Sequence, residues 1–245
     1  MGGNYCCSNA AVFFVPVKNI KFVSQLFLVL VMFVLTKEII FPPVEMADEE
    51  GLLAFGGDLS TARLLLAYKK GIFPWYNEDE PICWWCPNPR FVLFPQELKV
   101  SKSMQTVLNN GSFRFTINKA FDKVIANCKS ITRKGQEGTW IQPEVINAYT
   151  KLHQLGFAVS AEAWKDGELA GGLYGVLLGK VFFGESMFSR QSNASKFAFI
   201  NFARYLQNQN IKLVDCQVYT SHLESLGARM IDRKLFCDLL SANIH

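Results

Sequence analysis

The run VFFGESMFSR, Val181 to Arg190, sets a carboxylate inside a stretch that otherwise reads as a buried strand. Residues i and i+2 of a strand share a face, so Glu185 is expected to point the same way as Met187. An unpaired buried charge is expensive or shifts its pKa, so Glu185 needs either a cationic partner or a chemical task. A second strand, Lys212 to Tyr219, repeats the pattern. It places Asp215 and Gln217 on one face and Val214, Cys216 and Val218 on the other. If both polar faces open on one cleft, Glu185, Asp215 and Gln217 converge. The bland alternative for Asp215 is a carboxylate that caps a helix or pairs with an arginine.

Half of the 245 residues are apolar and 21 are Phe, which excludes a disordered chain and supplies ample core. The formal net charge of +4 is compatible with a polyanionic partner but too small to demonstrate one. Seven cysteines scattered without a framework fit free thiols in a reducing compartment, which points to the cytoplasm. Phe22 to Leu35, mostly apolar and behind Lys18 and Lys21, is short of the roughly 20 residues of a membrane span. No small-residue cleavage site follows it. Three readings stand: a weak anchor or signal, an element packed on the fold, or an upstream extension over 1–31 that is not native, with the true start at Met32. The last is preferred, because everything organised begins just after Met32, and no membrane partner is expected.

Asp58 and Ser60 are candidate N-caps for a helix over Thr61 to Lys70, stopped by Gly71. Gly56-Gly57 before it lacks the longer glycine pattern and lysine of a phosphate loop. The segment from Ile72 to Pro95 is dense in aromatics and prolines. Trp75, Tyr76, Trp84 and Trp85 are either a base-stacking platform or, preferably, the core of a small domain. Cys83 and Cys86 form a CxxC with no second pair to complete a zinc site. From Arg90 the texture changes to alternating strands and helices, so a small N-terminal domain over 32–89 and a second domain over 90–245 are expected. Helices are predicted over Ser101–Asn109, Asn118–Cys128, Pro143–Gln154 and Lys196–Leu206, with a short one over Ser221–Leu226. Phe157–Trp164, Leu169–Leu178 and Val181–Phe188 read as an antiparallel meander with turn residues between its strands. A last strand or turn ends the chain. With His153 on a surface-type helix, His222 near a helix start and His245 terminal, neither a Ser-His-Asp apparatus nor a metal site is supported.

Several ordered signatures carry a resemblance. They are GGDLS at Gly56–Ser60, GIFPWY at Gly71–Tyr76, WWCPNPR at Trp84–Arg90, GTWI at Gly138–Ile141, GESMFSR at Gly184–Arg190, NASK at Asn193–Lys196, DCQV at Asp215–Val218 and SLGA at Ser225–Ala228. With these, Phe41 to Phe236 resembles the leucyl/phenylalanyl-tRNA-protein transferases. The resemblance implies an α+β fold, a small N-terminal domain followed by a GNAT-like mixed-sheet domain. It implies transfer of Leu or Phe, and less well Met, from aminoacyl-tRNA to the N-terminal Arg or Lys of an acceptor protein, which becomes a degradation signal. It further implies that the enzyme is a monomer and uses no metal or organic cofactor.

Position by position, the resemblance assigns Asp215 and Gln217 to management of the attacking amine and Glu185 to positioning of the acceptor. Leu173, Phe182, Met187, Phe202 and Val214 become the wall of the amino-acid side-chain pocket. Val214 fits worst, since strand alternation turns it away from Asp215. Trp75 and Trp140 are assigned to the 3′-terminal adenosine of the tRNA. The reaction suits these residue types: the ester is already activated, so the protein must orient a neutral amine and stabilise an oxyanion. An acetyltransferase of the same fold is the alternative enzyme, but Arg190–Ser195 (RQSNAS) lacks the glycines that let backbone amides approach a diphosphate. Arg190 and Lys196 can instead hold a tRNA phosphate. The helix KSMQTVLNN is poor in Lys and Arg for a tRNA-contacting surface, and Lys99, Lys102 and Arg133-Lys134 are the remaining basic positions considered. A tRNA-binding module without transfer activity is the non-enzymatic alternative.

Overall fold

The computed structural model describes residues 33–130 and 140–245. The apolar segment before Phe33 and the basic pair Arg133-Lys134 lie outside the described residues. The chain begins with β1 (Phe33–Leu35), β2 (Leu52–Gly56), helix α1 (Thr61–Lys69), β3 (Phe73–Pro74) and β4 (Cys83–Trp85). These strands form a sheet in the order β1-β2-β4-β3. Helix α1 is punctuated as expected. Ser60 Oγ accepts from the Arg63 N–H, Lys69 lies in the last turn, and Gly71 leaves in the left-handed region at φ +75°. The aromatic segment is core rather than platform at Trp84, which is fully buried and donates its indole N–H to Gly56 O at 2.9 Å, while Trp75 stays exposed.

The remainder runs β5 (Arg90–Leu93), α2 (Lys102–Asn109), β6 (Arg114–Ile117), α3 (Phe121–Ser130), α4 (Pro143–Gln154), β7 (Ala158–Lys165), β8 (Glu168–Leu178) and β9 (Val181–Ser189). It closes with α5 (Ala194–Asn208), β10 (Leu213–Gln217), α6 (Ser221–Glu224), β11 (Arg229–Ile231) and α7 (Arg233–Asn243). The strands form a seven-stranded sheet in the order β11-β5-β10-β9-β8-β7-β6. The expected meander is its centre, β7-β8-β9, and within this sheet only β9 and β10 pair in parallel among the described strands. A parallel pair needs a crossover, which α5 supplies. The fold is therefore α+β, a small N-terminal sheet before a larger mixed sheet.

The structure moves some predicted boundaries for identifiable reasons. Asn118 does not begin a helix: it turns the chain at φ +56° and accepts from Ser160 N–H at 2.9 Å. Helix α3 starts later because Glu162, buried on β7, accepts from the N–H groups of Lys119 and Ala120 at 3.2 and 3.4 Å. Strand β10 stops at Gln217, whose φ of +64° is outside strand geometry, and leaves Val218 and Tyr219 exposed. The chain ends on α7 rather than on a strand or turn, with Asp232 accepting from Lys234 N–H at its start and Phe236 and Leu240 buried. His153 is not a surface residue: its ring stacks on Phe121 at 4.1 Å and its Nδ1 meets Ala158 O at 2.8 Å.

One face of the large sheet, with Ala161, Ala163, Leu173, Phe182 and Val214, packs on α5. The other, with Tyr174, Val176, Phe183 and Leu213, shares a core with α1, α3, α4, α7 and the small sheet. No helix among the described residues is long and apolar enough to cross a membrane.

Candidate active site

Two irregularities, side by side on β9 and β10, shape the site. Tyr174 faces Ser186 and Gly175 faces Gly184, so Glu185 is an extra residue without a partner on β8. An inserted residue inverts the alternation beyond it. Met187 therefore lies opposite Leu173 in the α5 cluster, whereas Glu185 is reached by Tyr68 of α1 and Tyr149 of α4 on the other face. The expectation that Glu185 and Met187 share a face is corrected by this bulge. Gly175 is required beside it, since a Cβ there would lie 2.1 Å from Phe183 O. On β10, Asp215 faces Val92 and Gln217 faces Phe91, leaving Cys216 as the extra residue. Pairing between β9 and β10 ends at Asp215 and Phe183, and beyond it a cavity of about 310 Å³ opens.

The cavity is lined by Val214, Asp215, Cys216, Gln217 and Val218 in succession, so the strict separation of these residues onto two faces does not hold. This removes the difficulty with Val214. Leu173, Phe182 and Met187 line it too, on a largely apolar wall. Phe202 stands behind the wall, edge-on to Phe182 with ring centroids 4.9 Å apart, and Phe199 of the same helix takes the lining position.

Asp215 is fully buried and both of its oxygens are taken. Arg90 donates Nε–H to Oδ1 at 2.8 Å and Nη2–H to Oδ2 at 2.7 Å. The guanidinium lies between the rings of Phe73 and Phe236, 4.7 Å from each centroid. Burial works against its charge, and Asp215 more than restores it, so Arg90 is held above its ordinary pKa. Asp215 Oδ1 also accepts the backbone N–H of Gln217 at 2.9 Å, which fixes that residue's left-handed turn. Asp215, assigned to the attacking amine in the sequence, thus spends its oxygens on Arg90 and on the backbone of Gln217. The arginine pairing weighed for it in the sequence is the one observed.

Glu185 Oε1 accepts from Tyr68 OH at 2.8 Å and from Gln217 Nε2 at 3.0 Å, and Oε2 accepts from Tyr149 OH at 2.9 Å. The hydroxyls of Tyr68 and Tyr149 also lie against each other, a contact with no proton of its own while both donate to the carboxylate. Burial, followed by the charge of Glu185, pushes both phenols well above their ordinary range, so they remain donors. For Glu185 burial dominates over its donors, and its pKa is raised to about 7. Sequence reasoning placed Glu185, Asp215 and Gln217 together correctly but missed Arg90, Tyr68 and Tyr149. Arg90 had the same signal as Glu185, a charge opening an apolar run; a tyrosine on the buried face of a helix has none.

Trp75 is 43% exposed and tilts on Trp85 at 5.7 Å, whereas Trp140 is buried, and neither lines the cavity. Arg190 is exposed at the end of β9 and Lys196 is half-buried in the first turn of α5. His222, set aside in the sequence, lines the cavity, and burial, then the charge of Lys196, lower its pKa and keep the ring neutral.

Because Glu185 titrates near 7 in the fold against 4.5 ordinarily, its ionisation opposes folding, and this contribution to stability is lost as pH rises through about 7. Glu185→Gln is expected to gain on the parent by on the order of 3 kcal/mol between pH 4.5 and about pH 8, read from urea unfolding. A pH-independent difference would assign the titration to another group.

The family model described as leucyl/phenylalanyl-tRNA protein transferase matches residues 92–241, and that of its N-terminal domain matches residues 57–88. The leucyl/phenylalanyl-tRNA–protein transferase of Flavobacterium johnsoniae is 60% identical over 211 residues, covering 86% of this chain and 100% of the relative. That of Christiangramia forsetii is 58% identical over 202 residues, covering 82% and 95%. That of Syntrophobacter fumaroxidans is 54% identical over 212 residues, covering 86% and 91%. A solved GCN5-related N-acetyltransferase-like protein from Streptococcus suis aligns with 71% of this chain and 66% of its own, at 10% identity and a TM-score of 0.36. With the family model spanning residues 92–241 and such relatives matched nearly end to end, this chain belongs to the leucyl/phenylalanyl-tRNA–protein transferase family and is an aminoacyltransferase.

Proposed function

We propose that this enzyme moves Leu or Phe, and less well Met, from aminoacyl-tRNA onto the N-terminal Arg or Lys of acceptor proteins, and so creates a degradation signal. The observation that carries this reading is Glu185. It is a carboxylate at the wall of an apolar cavity whose partners are three neutral donors, with no ion pair among the described residues. An acceptor with a basic first residue brings two cations to it, the α-ammonium and the side chain. The reading places the enzyme in the cytoplasm with charged tRNA, acting as a monomer.

In this reading the donor side chain enters between Leu173, Phe182, Met187, Phe199 and Val214, with Phe202 as backing. An adaptable thioether on an apolar wall accepts Leu, Phe and Met with little discrimination among them. The acceptor α-ammonium gives one proton to solvent, and the neutral amine sits against Glu185 and Gln217. Gln217 gives one N–H to Glu185, and its Oε1 receives an N–H of the amine, aiming the lone pair at the ester carbonyl. As nitrogen bonds to carbon, its proton passes to Glu185, whose pKa of about 7 suits a proton acceptor near neutrality. The ester C–O bond then breaks, the ribose oxygen takes the proton, and peptide and uncharged tRNA leave. Asp215, fixed by Arg90, acts through Gln217. For the tRNA end, Trp75 has a face open for the adenosine, and Trp140 has only its residual 6% of surface to offer. Arg190 and Lys196 hold a phosphate.

The test supplies Phe-tRNA, or acetyl-CoA as the rival donor, with competing peptides that begin in Arg or Ala. Transfer from Phe-tRNA with a preference for Arg is expected, and Glu185→Gln reduces that preference while leaving Phe-tRNA binding intact. An unchanged preference removes the role given to Glu185. In the same assay, Asp215→Asn slows transfer by roughly tenfold or more with tRNA affinity retained; equal losses in both would make Asp215 structural only. Arg190→Ala weakens tRNA binding and lowers its salt slope by about 1, and an unchanged slope takes Arg190 out of the footprint.

A further inference from the structure

The segment that leaves the active site exposes what a strand would bury. Val214 and Asp215 of β10 lie inside the sheet, but past the left-handed turn of Gln217 at φ +64° Val218 is 56% exposed and Tyr219 51%. Apolar side chains scattered singly on a surface are ordinary, whereas a cluster beside a cavity calls for a reason. These two are joined by a third. The Tyr219 ring meets Phe91 edge-on with centroids 5.4 Å apart, and Phe91 stands opposite Met230 of β11, itself 43% exposed. Residues opposite each other on antiparallel strands share a face, so Tyr219 and Met230 both adjoin the buried Phe91. Val218 connects this ledge to the cavity, whose wall it lines directly after Gln217.

The ledge is held in place by hydrogen bonds. Val218 N–H donates to Cys216 O at 2.8 Å, Tyr219 OH donates to Glu224 Oε2 at 2.8 Å, and Thr220 Oγ1 accepts from Leu223 N–H at 3.2 Å to start α6. The turn before it is fixed by Asp215 through the Gln217 N–H. In the function proposed above, on which this inference rests, the α-amine of the acceptor sits at Gln217. Two steps of about 3.8 Å keep Tyr219 within about 7.6 Å of Gln217, and the same two steps carry an acceptor from its first residue to its third. Charge decides between acceptor and tRNA as the occupant. The Glu224 carboxylate holds the Tyr219 hydroxyl, and the cation beside Met230, Arg229, is already paired with Glu97 at 3.0 Å. A polyanionic strand is repelled there, as is an acidic side chain, while an apolar side chain covers the ledge without opposition.

We propose that Val218, Tyr219 and Met230 form a docking surface for the acceptor polypeptide, which takes apolar side chains from its second and third residues while the first is held at Glu185 and Gln217. The enzyme then reads more of its acceptor than one residue, a basic one at Glu185 and apolar ones beyond it. Contact with the ledge removes apolar surface from water on both partners. It is the same before and during the chemical step, so it acts on acceptor binding and not on turnover.

The full chain is given Phe-tRNA and peptides, labelled at the C-terminus, that begin Arg-Leu-Leu, Arg-Ser-Ser or Arg-Asp-Asp; peptide binding without tRNA is read by fluorescence anisotropy. KM is expected to be roughly tenfold lower for Arg-Leu-Leu than for Arg-Ser-Ser, with kcat within about twofold, and highest for Arg-Asp-Asp. Tyr219→Ser and, separately, Met230→Ser bring Arg-Leu-Leu close to Arg-Ser-Ser and leave Phe-tRNA affinity unchanged. Equal KM for these two peptides in the parent enzyme overturns the proposal, and that measurement needs no variant to fold. A preference that survives both substitutions overturns it too. So does a loss of Phe-tRNA affinity in Tyr219→Ser with the preference intact, which gives the surface to the tRNA. If Phe reaches none of the peptides while anisotropy still ranks Arg-Leu-Leu first, the reading of the reaction fails and the docking surface stands.

Discussion

The buried pair of Arg90 and Asp215 ties together everything that the site needs. Arg90 begins β5, immediately after the small sheet, and its guanidinium lies between Phe73 of that sheet and Phe236 of α7. Its two hydrogen bonds fix Asp215 on β10, and Asp215 fixes the left-handed turn of Gln217. A bidentate fork is the geometry in which a buried ion pair recovers most of its desolvation cost. Loss of one partner from such a pair typically costs about 3–5 kcal/mol, because the other charge is stranded. The pair is therefore a device of placement more than of stability. It couples the register of β10 to the seating of the N-terminal part and of the last helix, so the amide facing Glu185 is positioned only when all three are in place.

The regular parts of this fold were readable because each has a local cause. The caps and glycine of α1, the proline at the start of α4 and the turns of the meander are signals within a few residues of the elements they bound. The site was half readable. Polar residues interrupting two apolar runs marked Glu185, Asp215 and Gln217, since the cost of burying charge is visible wherever the strand is recognised. Their directions were not readable. A bulge is set by how two strands pair, and nothing within VFFGESMFSR says that Glu185 will be the residue left over. The same holds for Cys216 on β10, where the extra residue lets Val214 and Gln217 border one cavity. Tyr68 and Tyr149 were illegible for a related reason, as they lie 117 and 36 residues from the carboxylate they serve. Helix α7 was missed because its cap, Asp232, follows directly on a short strand and its buried residues are widely spaced.

The environment of Glu185 links binding to proton movement. Three neutral donors stabilise its charge, yet burial outweighs them, so near pH 7 the group is divided between its two forms. A cation placed beside it favours ionisation, because an opposite charge within a few ångströms lowers a carboxylate's pKa. By linkage, the ionised form binds that cation more tightly than the protonated form does. On the function proposed above, a basic N-terminus draws out the carboxylate that then receives a proton of its amine, while a neutral first residue offers Glu185 only the α-ammonium. Selectivity for the acceptor and readiness for the chemical step then arise, in that proposal, from a single group. The bulge matters to both, since it turns Glu185 toward Tyr68 and Tyr149 and leaves Met187 on the apolar wall of the cavity, where the proposal seats the donor side chain.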